Sequence, residues 1–383
     1  LSRLNQLTEI DQSGKPYIIY KSQKGFDLYT DFSKKIILNN KNIENFLNKK
    51  IKKKSKNTDL FIGFLGYELL NNLINIKVPK QKNLNFPKGI FYKPEKKIKL
   101  NNKLKFFKKD FKSGNFQINI NKKNYTKIFN RFKRRIKSGE TYQIKICTKY
   151  KTKSKINPLD FFSRLASTNL APEAFMIKDN NYSIISCSPE NLITKKGVDI
   201  STKPIAGTVK KTKDLNKKKA LSYFRKNLKE TKEHNMIVDM ERNDLSRICK
   251  VGTVRLSKQK IVEEYKDLFH YVSLIKGKLK KNINNLDIIK AMMPGGSVIG
   301  CPKINTLNLL NNQEKENRNI YTGSFGYIKF NGDMRFNIII RSILNFKDIS
   351  EISVASGVVV DSNANHEFNE NFLKAKALID LFK

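Results

Sequence analysis

Two pairs of glutamates have the spacing that a metal site built from helices requires. Glu230 and Glu233 lie three residues apart, and so do Glu367 and Glu370. Residues three apart share a helix face, with Cβ atoms about 5–6 Å apart, so each pair can direct two carboxylates at one point. Mg²⁺ binds one or two carboxylates together with water and ligand oxygens. One carboxylate from each pair would hold the ion, although the spacing also fits two exposed pairs balanced by lysines.

Four loops rich in Gly, Pro and Ser form a second pattern. Glycine lets the backbone approach a ligand, and consecutive N–H groups can bind an anion. One such loop alone would be an ordinary turn, but four of them, with Lys303 and Arg341 as cations, indicate a carboxylate ligand. The loops are Ser188–Leu192, Pro204–Thr208, Pro294–Lys303 and Ala355–Ser362.

The elements that must position these residues follow from apolar periodicity. Lys77–Lys105, rich in Lys, Asn and Pro, is predicted to be a loop. Runs of strands with helices grouped between them indicate an α+β fold with a largely antiparallel sheet. The predicted helices are Tyr125–Ile136, Pro158–Ala166, Leu215–Ile248, Leu286–Met293, Ile304–Asn311 and Glu367–Phe382. The predicted strands are Tyr17–Tyr20, Thr141–Tyr150, Tyr182–Cys187, Glu190–Ser201, Thr253–Leu256, Tyr271–Lys278, Thr322–Phe330, Met334–Asn345 and Ile352–Val360.

The net charge of +42 first suggests a nucleic-acid-binding protein. Basic residues, however, run through nearly every segment. Lys greatly outnumbers Arg, although Arg binds phosphates better because its guanidinium can make two parallel hydrogen bonds. We therefore expect solvated basic faces and no nucleic-acid partner, and the charge would draw in an anionic substrate. Nucleic-acid binding is kept as the alternative from a different functional class.

The cysteines and the apolar runs bear on location. Cys147, Cys187, Cys249 and Cys301 form no Cys-x-x-Cys pair, so a zinc site or disulfide framework is poorly supported. No apolar run reaches the roughly 18 residues of a membrane span, and no signal-peptide pattern opens the chain. We expect a cytoplasmic protein with no membrane association.

Five motifs together resemble the chorismate-utilising enzymes: SPENLITKKGVDISTKPIAGT, KEHNMIVDMERNDLSRICKVGTVRL, PGGSVIGCPK, YTGSFGYIKFNGDMRFNIIIRSI and GVVVDSNANHEFNENFLKAKAL. That family includes component I of anthranilate synthase and of aminodeoxychorismate synthase, and the isochorismate and salicylate synthases. The similarity covers roughly Tyr125 to the C-terminus. It implies antiparallel sheets packed as a sandwich with helices on the outer faces. Residues 121–383 would form the chorismate-binding catalytic region, and residues 1–120 the N-terminal part of the same α+β unit.

The resemblance also implies roles for individual residues. Glu233 and Glu370 resemble the magnesium ligands, with Glu230 and Glu367 beside them. Glu190 resembles the general acid that protonates the departing C4 hydroxyl. His270 resembles the active-site histidine of the family. Tyr321, Arg341 and the Gly357 backbone resemble the groups that hold the enolpyruvyl carboxylate. Gly207, Thr208 and Ser297 resemble the family's ring-side residues.

The choice within the family depends on few residues. Gln143 stands where the water-using members resemble one another in having a Lys base, so ammonia is the expected nucleophile. Ala206 stands where many aminodeoxychorismate synthases have a Lys nucleophile. Anthranilate synthases have Ala at this position, as do some aminodeoxychorismate synthases. PGGS and YTGSFGYI resemble the aminodeoxychorismate side, which we favour, with anthranilate synthase as the alternative. Either enzyme would use ammonia or a glutamine amidotransferase subunit.

Several positions depart from the family pattern. Ile299 replaces a usual Ser or Thr, which would remove a ring-side hydroxyl. Ala355 and Ser356 replace glycines before Gly357 and would crowd the carboxylate cradle. Arg335 stands where Asp is common. These departures leave a chorismate-binding but inactive protein as a further alternative.

Overall fold

The strands and helices cover most of the part of the chain that the computed structural model describes, which comprises residues 3–22, 24–49, 56–78, 85–101, 104, 112–265 and 268–383. The strands are β1 (Tyr17–Ser22), β2 (Gly25–Leu38), β3 (Leu60–Leu65), β4 (Gly89–Leu100), β5 (Lys112–Ser113), β6 (Gln117–Ile118), β7 (Gln143–Lys155), β8 (Glu173–Lys178), β9 (Tyr182–Ser188), β10 (Asn191–Lys196), β11 (Asp199–Lys203), β12 (Ile205–Lys210), β13 (Arg255–Glu264), β14 (Leu268–Lys278), β15 (Gly300–Cys301), β16 (Ser324–Lys329), β17 (Met334–Asn337), β18 (Ser342–Phe346) and β19 (Ile349–Val358).

The helices are α1 (Arg3–Gln12), α2 (Ile43–Asn48), α3 (Tyr67–Leu73), α4 (Lys122–Lys137), α5 (Pro158–Asn169), α6 (Lys217–Lys226), α7 (Leu228–Ile248), α8 (Asn285–Met292), α9 (Lys303–Gln313) and α10 (Ala364–Ile379). No helix within the described ranges is both long enough and apolar enough to cross a membrane.

All strand pairings among the described residues are antiparallel, which confirms the predicted α+β class. One ladder runs in the order β13, β14, β11, β10, β17, β16, β3, β4, β2, β1, β8, β9, β18, β19, β7. The first 120 residues pair directly with later ones, β1 with β8 and β3 with β16. They therefore build the same sheet.

The ladder curves back on itself, so that strands distant in its order pack face to face. Phe175 of β8 stacks on Phe325 of β16, with ring centroids 3.7 Å apart. Ile18, Phe64 and Ile184, from β1, β3 and β9, share one buried cluster with them. This packing agrees with the predicted sandwich, because side chains of two inward faces fill one core.

The loop prediction for Lys77–Lys105 is wrong over β4, which pairs with β2 from Gly89 to Leu100; residues 79–84, 102–103 and 105 lie outside the described part. The Lys and Pro content concealed a strand whose polar residues are exposed or partly exposed. Pro94 pairs with Phe32 beside a register shift, the kind of position at which a strand tolerates proline.

Two other predicted elements are interrupted in the structure. The helix predicted over Leu215–Ile248 is two helices, because Asn227 ends α6 and caps α7. The strand predicted over Met334–Asn345 breaks between β17 and β18, where Arg341 adopts a left-handed φ of 51°. Helices α1, α2 and α3 were not predicted. Both interruptions shape the site described next.

Candidate active site

A cavity of about 560 Å³ collects most of the residues singled out in the sequence. It lies among α7, α10, β7, β12 and the loop before α9. Lys303, His270 and Gln143 are the candidates outside its lining. The candidates that line it are Glu190, Gly207, Thr208, Glu230, Glu233, Ser297, Tyr321, Arg341, Gly357, Glu367 and Glu370.

The glutamate pairs begin two helices that face this cavity. The Asn227 side chain accepts a hydrogen bond from the Glu230 backbone N–H, which starts α7 just before its carboxylates. Asn363 caps α10 in the same way, accepting from the N–H groups of Asn365 and His366. Asparagine at the N-cap satisfies donors that the first helical turn leaves free. The local sequence thus sets where each glutamate pair starts.

Glu233 is held by two donors from β7. Its Oε1 lies 3.0 Å from the Lys145 ammonium and 2.9 Å from Nε2 of Gln143. The charge of Lys145, opposed by desolvation and helped by Gln143, lowers the pKa of Glu233 to about 2. Glu233 is therefore ionised at neutral pH. Gln143 positions this carboxylate and does not itself line the cavity.

The carboxylates of α10 complete an oxygen-rich wall. Glu367 is buried, and its Oε1 accepts from the Ser362 hydroxyl at 3.0 Å. Ligand atoms of His366, Glu367 and Glu370 lie within 4.8 Å of one another. Carboxylates of both helices line one cavity, so they offer the kind of oxygen ligand that magnesium prefers.

Glu190 has the properties of a proton donor. It is buried, and its Oε1 makes no hydrogen bond to any part of the described chain. Desolvation raises the pKa of Glu190 to about 7, although Ser297 and the Lys145 charge oppose the rise. A carboxylic acid whose pKa lies near neutrality can hold a proton and release it to a substrate.

Arg341 gives the cavity a cation suited to a carboxylate. Among the residues that the structure describes, no carboxylate lies within ion-pair distance of its guanidinium. Burial lowers the pKa of Arg341 from its usual value, but an arginine stays charged in a protein. Its left-handed backbone places it at the break between β17 and β18. Tyr321, also in the lining, is buried nearby.

Two glycines allow the backbone to approach these groups. A Cβ at Gly207 would lie 2.6 Å from Oε2 of Glu230, and this residue has a left-handed φ of 85°. A Cβ at Gly357 would lie 2.8 Å from both Nε2 of Gln143 and Nζ of Lys145. Any larger residue at either position would displace the charged side chains.

His270 stands behind the cavity wall. Its Nδ1 lies 2.8 Å from the Thr208 hydroxyl, which does line the cavity. Burial, with the charge of Arg341, lowers the pKa of His270 to about 4, so the imidazole is neutral at physiological pH. His270 therefore contacts the cavity lining through the Thr208 side chain.

The structure does not bring Lys303 to the cavity, which corrects its assignment as a substrate-binding residue. Its buried ammonium pairs with the buried Asp244 carboxylate. It also donates to the backbone oxygens of Ala291, at 3.2 Å, and Met292, at 3.4 Å. The cation is used inside the protein to join α9 to α7 and α8.

We expect Lys303→Met to lower the free energy of unfolding by about 3–5 kcal/mol, because it leaves Asp244 buried without its partner. Urea unfolding measures the change. The matched control is Lys290→Met, which removes a more exposed ion pair with Glu44 and should cost less than about 1 kcal/mol. Equal losses in the two variants would contradict the structural role of Lys303.

The residues that depart from the family pattern lie in different parts of the structure. Ile299 is fully buried in the main apolar core and does not line the cavity. Ala206 and Ala355 both line the cavity. Ser356 is buried, with its hydroxyl 3.0 Å from that of Tyr125. Arg335 lies elsewhere, in an ion pair with Glu173.

The sequence reasoning missed Lys145 and Lys374, two ammonium groups in the cavity lining. Lys374 lies 2.6 Å from Oε1 of Glu370. Lys145 could have been found, because it is two residues after Gln143 and side chains two apart share a strand face. Its pairing with Glu233, 88 residues away, has no local signal.

The chain is similar in sequence to proteins of one known family. The family described as chorismate binding enzyme matches residues 10–380. Aminodeoxychorismate synthase component 1 of Bacillus subtilis is 34% identical over 267 residues, which are 70% of this chain and 57% of that protein. An anthranilate synthase component I-like protein of Synechocystis is 32% identical over 347 residues, 83% of this chain and 72% of that protein. The chain thus matches little more than half the length of the Bacillus relative.

Solved structures share the fold. Anthranilate synthase component I from Streptococcus pneumoniae superposes with a TM-score of 0.77 at 24% identity, covering 94% of this chain and 89% of that one. The menaquinone-specific isochorismate synthase of Escherichia coli gives a TM-score of 0.76 at 16% identity, covering 96% and 89%. At these identities the likeness establishes the architecture alone.

Proposed function

This chain belongs to the chorismate binding enzyme family, and from that premise we propose that it aminates chorismate with ammonia to 4-amino-4-deoxychorismate, releasing water. The observation that carries the proposal is the charge arrangement of the cavity. Arg341 has no carboxylate partner in the described structure, and it lines the same space as Glu190 and the carboxylates of two helices. Such a cavity suits a small dicarboxylate ligand.

The cavity residues divide the work by their charge. Arg341 can fork onto one substrate carboxylate with two parallel N–H donors, with Tyr321 and the Gly357 backbone alongside. Glu190, protonated near neutrality, donates its proton to the departing C4 hydroxyl, which leaves as water. Ser297 lines the same cavity and opposes the rise in the pKa of Glu190.

Glu233 and Glu370, with Glu230 and Glu367 beside them, are the residues that would hold magnesium. A bound magnesium ion supplies positive charge to a substrate carboxylate. The glutamates fit this role because Glu233 is ionised well below neutral pH and the others line the same space. With Arg341 at another part of the cavity, the two ends of a dicarboxylate would have separate partners.

Ammonia is favoured over water as nucleophile because Gln143 stands where the water-using members of the family resemble one another in having a Lys base. Gln143 is an amide engaged with Glu233. Desolvation would lower the pKa of Lys145, but the charge of Glu233 raises it overall, so this amine is protonated. Ala206 excludes a lysine nucleophile at that position and is equally compatible with anthranilate synthesis, the alternative product.

Incubation of the protein with chorismate, ammonium and Mg²⁺ tests the proposal by the mass of the product. We expect aminodeoxychorismate, which keeps the enolpyruvyl group. Anthranilate with pyruvate would reject this product in favour of the alternative. The control omits ammonium, and consumption of chorismate without it would contradict the argument against water. Unchanged chorismate in the complete mixture would reject both amine-forming reactions.

We propose that a glutamine amidotransferase subunit supplies the ammonia, as the name component 1 of the Bacillus relative suggests. The expected result is that glutamine does not replace ammonium for this chain alone. Addition of a glutaminase subunit should restore glutamine-dependent turnover. Efficient use of glutamine by the isolated chain would contradict the need for a partner.

A further inference from the structure

The carboxylate proposed to bind magnesium already carries a positive charge of the protein. Nζ of Lys145 lies 3.0 Å from Oε1 of Glu233, and the two side chains are 13% and 28% exposed. Screening by water is weak for a pair this sheltered. A divalent cation on the same oxygen would be repelled by the ammonium, and this repulsion would offset part of the attraction of the carboxylate. Lys145 and a metal ion therefore compete for Glu233.

Lys145 also lies next to the place where a substrate carboxylate is expected. Its Nζ and Cε would be 2.8 Å and 3.3 Å from a Cβ at Gly357, so the ammonium rests against this backbone. Glu190, Glu370 and Arg341 line the same cavity. The ammonium thus has a carboxylate partner now and would meet another when a dianion enters.

The backbone of Lys145 is fixed, so only the side chain can change partner. The Lys145 N–H donates to the Ile299 oxygen at 2.9 Å, and the Lys145 oxygen accepts from Nη2 of the buried Arg318 at 3.1 Å. β7 pairs with β19 on one side and β15 on the other. The four-carbon stem of lysine nevertheless lets its charge swing by bond rotation.

We propose that Lys145 exchanges partners during binding: its ammonium neutralises Glu233 in the empty cavity and moves to a substrate carboxylate when a divalent cation takes Glu233. This inference rests on the proposed function. It makes Lys145 a substrate-binding residue and couples the two ligands, because substrate removes the competitor of the metal. By linkage, metal must then strengthen substrate binding by the same factor.

Lys145→Met tests the exchange, with Mn²⁺ as the probe and its free concentration followed by electron paramagnetic resonance without substrate. Methionine keeps the length and removes the charge. We expect Mn²⁺ to bind about tenfold tighter or more, since a nearby repulsive charge is gone. In steady-state assays with Mg²⁺, the KM for chorismate should rise about tenfold with a smaller change in kcat.

The matched control is Lys151→Met, which removes an ammonium from the same strand. Lys151 pairs with Glu316 outside the cavity, so Mn²⁺ affinity should change less than about twofold, the screened effect of one distant charge. Lys145→Arg, which keeps the charge, should bind Mn²⁺ as weakly as the unaltered protein. Lys145→Gln serves as the uncharged variant if Lys145→Met does not fold.

Unchanged or weaker Mn²⁺ binding in the uncharged variant would overturn the exchange. If the unaltered protein aminates chorismate while the Lys145 variants bind Mn²⁺ alike, the exchange fails and the proposed function stands. If the unaltered protein neither binds Mn²⁺ nor consumes chorismate, the proposed function fails as well. Tighter Mn²⁺ binding with an unaltered KM would also count against the exchange, because the ammonium would not then reach the substrate.

Discussion

Replacement of Glu190 by Gln is expected to lower kcat for chorismate amination by about 10²–10⁴-fold, the usual contribution of a general acid. Glutamine keeps the size of the side chain but has no proton to give to the departing hydroxyl. Because glutamine has the same size and Oε1 of Glu190 makes no hydrogen bond within the described chain, the fold should be retained. Steady-state kinetics with saturating ammonium and Mg²⁺ measure the change.

The pH profile shows whether the Glu190→Gln variant has lost a proton donor or has lost the structure of the cavity. The active form of Glu190 is protonated, and its pKa is about 7. In the unaltered protein, kcat/KM, which reports the protonation state of the free enzyme, should therefore be highest below that pH and fall as pH rises through it. The Glu190→Gln variant should lack this decline and should bind chorismate with an unchanged dissociation constant. A variant with nearly full kcat, or with the same decline, would remove Glu190 from the role.

Removal of either proposed magnesium ligand, by Glu233→Gln or Glu370→Gln, is expected to lower Mg²⁺-dependent turnover by about a thousandfold. Metal charge stabilisation is worth several kcal/mol, and each 1.36 kcal/mol corresponds to tenfold in rate. Mn²⁺ binding should weaken in parallel. For Glu233 the loss of turnover has a second cause. The variant also removes the carboxylate that now pairs with the Lys145 ammonium, which leaves this positive charge without its partner.

Glu316→Gln is the matched control for these variants. Glu316 pairs with Lys151 of β7, as Glu233 pairs with Lys145 of the same strand, but it lies outside the cavity. Its replacement should leave kcat and Mn²⁺ affinity unchanged. Circular dichroism should show the same fold in all three proteins. Full activity in Glu233→Gln or Glu370→Gln would exclude that residue from the metal site.

Features set by neighbours in the sequence were predicted well. The two glutamate pairs lie on helices as their spacing indicated, and Asn227 and Asn363 cap those helices. The antiparallel α+β class also followed from periodicity. The loop prediction failed where a lysine-rich composition hid a strand. The lysines of β4 lie at exposed or partly exposed positions of a strand that pairs with β2 and β3.

Other features depended on which side chains the fold brings together. Lys303 has the charge and loop context of a ligand-binding residue, yet it is buried against Asp244, 59 residues before it. Arg341 has the same charge and has no such carboxylate partner within the described residues. Nothing local separates these two cations, because the partner of a charge is chosen by tertiary contact.

By itself, the sequence determined the chemical groups, their helical spacing and the resemblance to chorismate-utilising enzymes. Only the tertiary structure decided that α7 and α10 direct their carboxylates into one cavity, and that Lys145 lies on Glu233. The physical reason is the distance along the chain over which each interaction acts. Helix periodicity and capping act over three or four residues, whereas burial, and the pKa of a group such as Glu190, depend on atoms brought from distant parts of the chain.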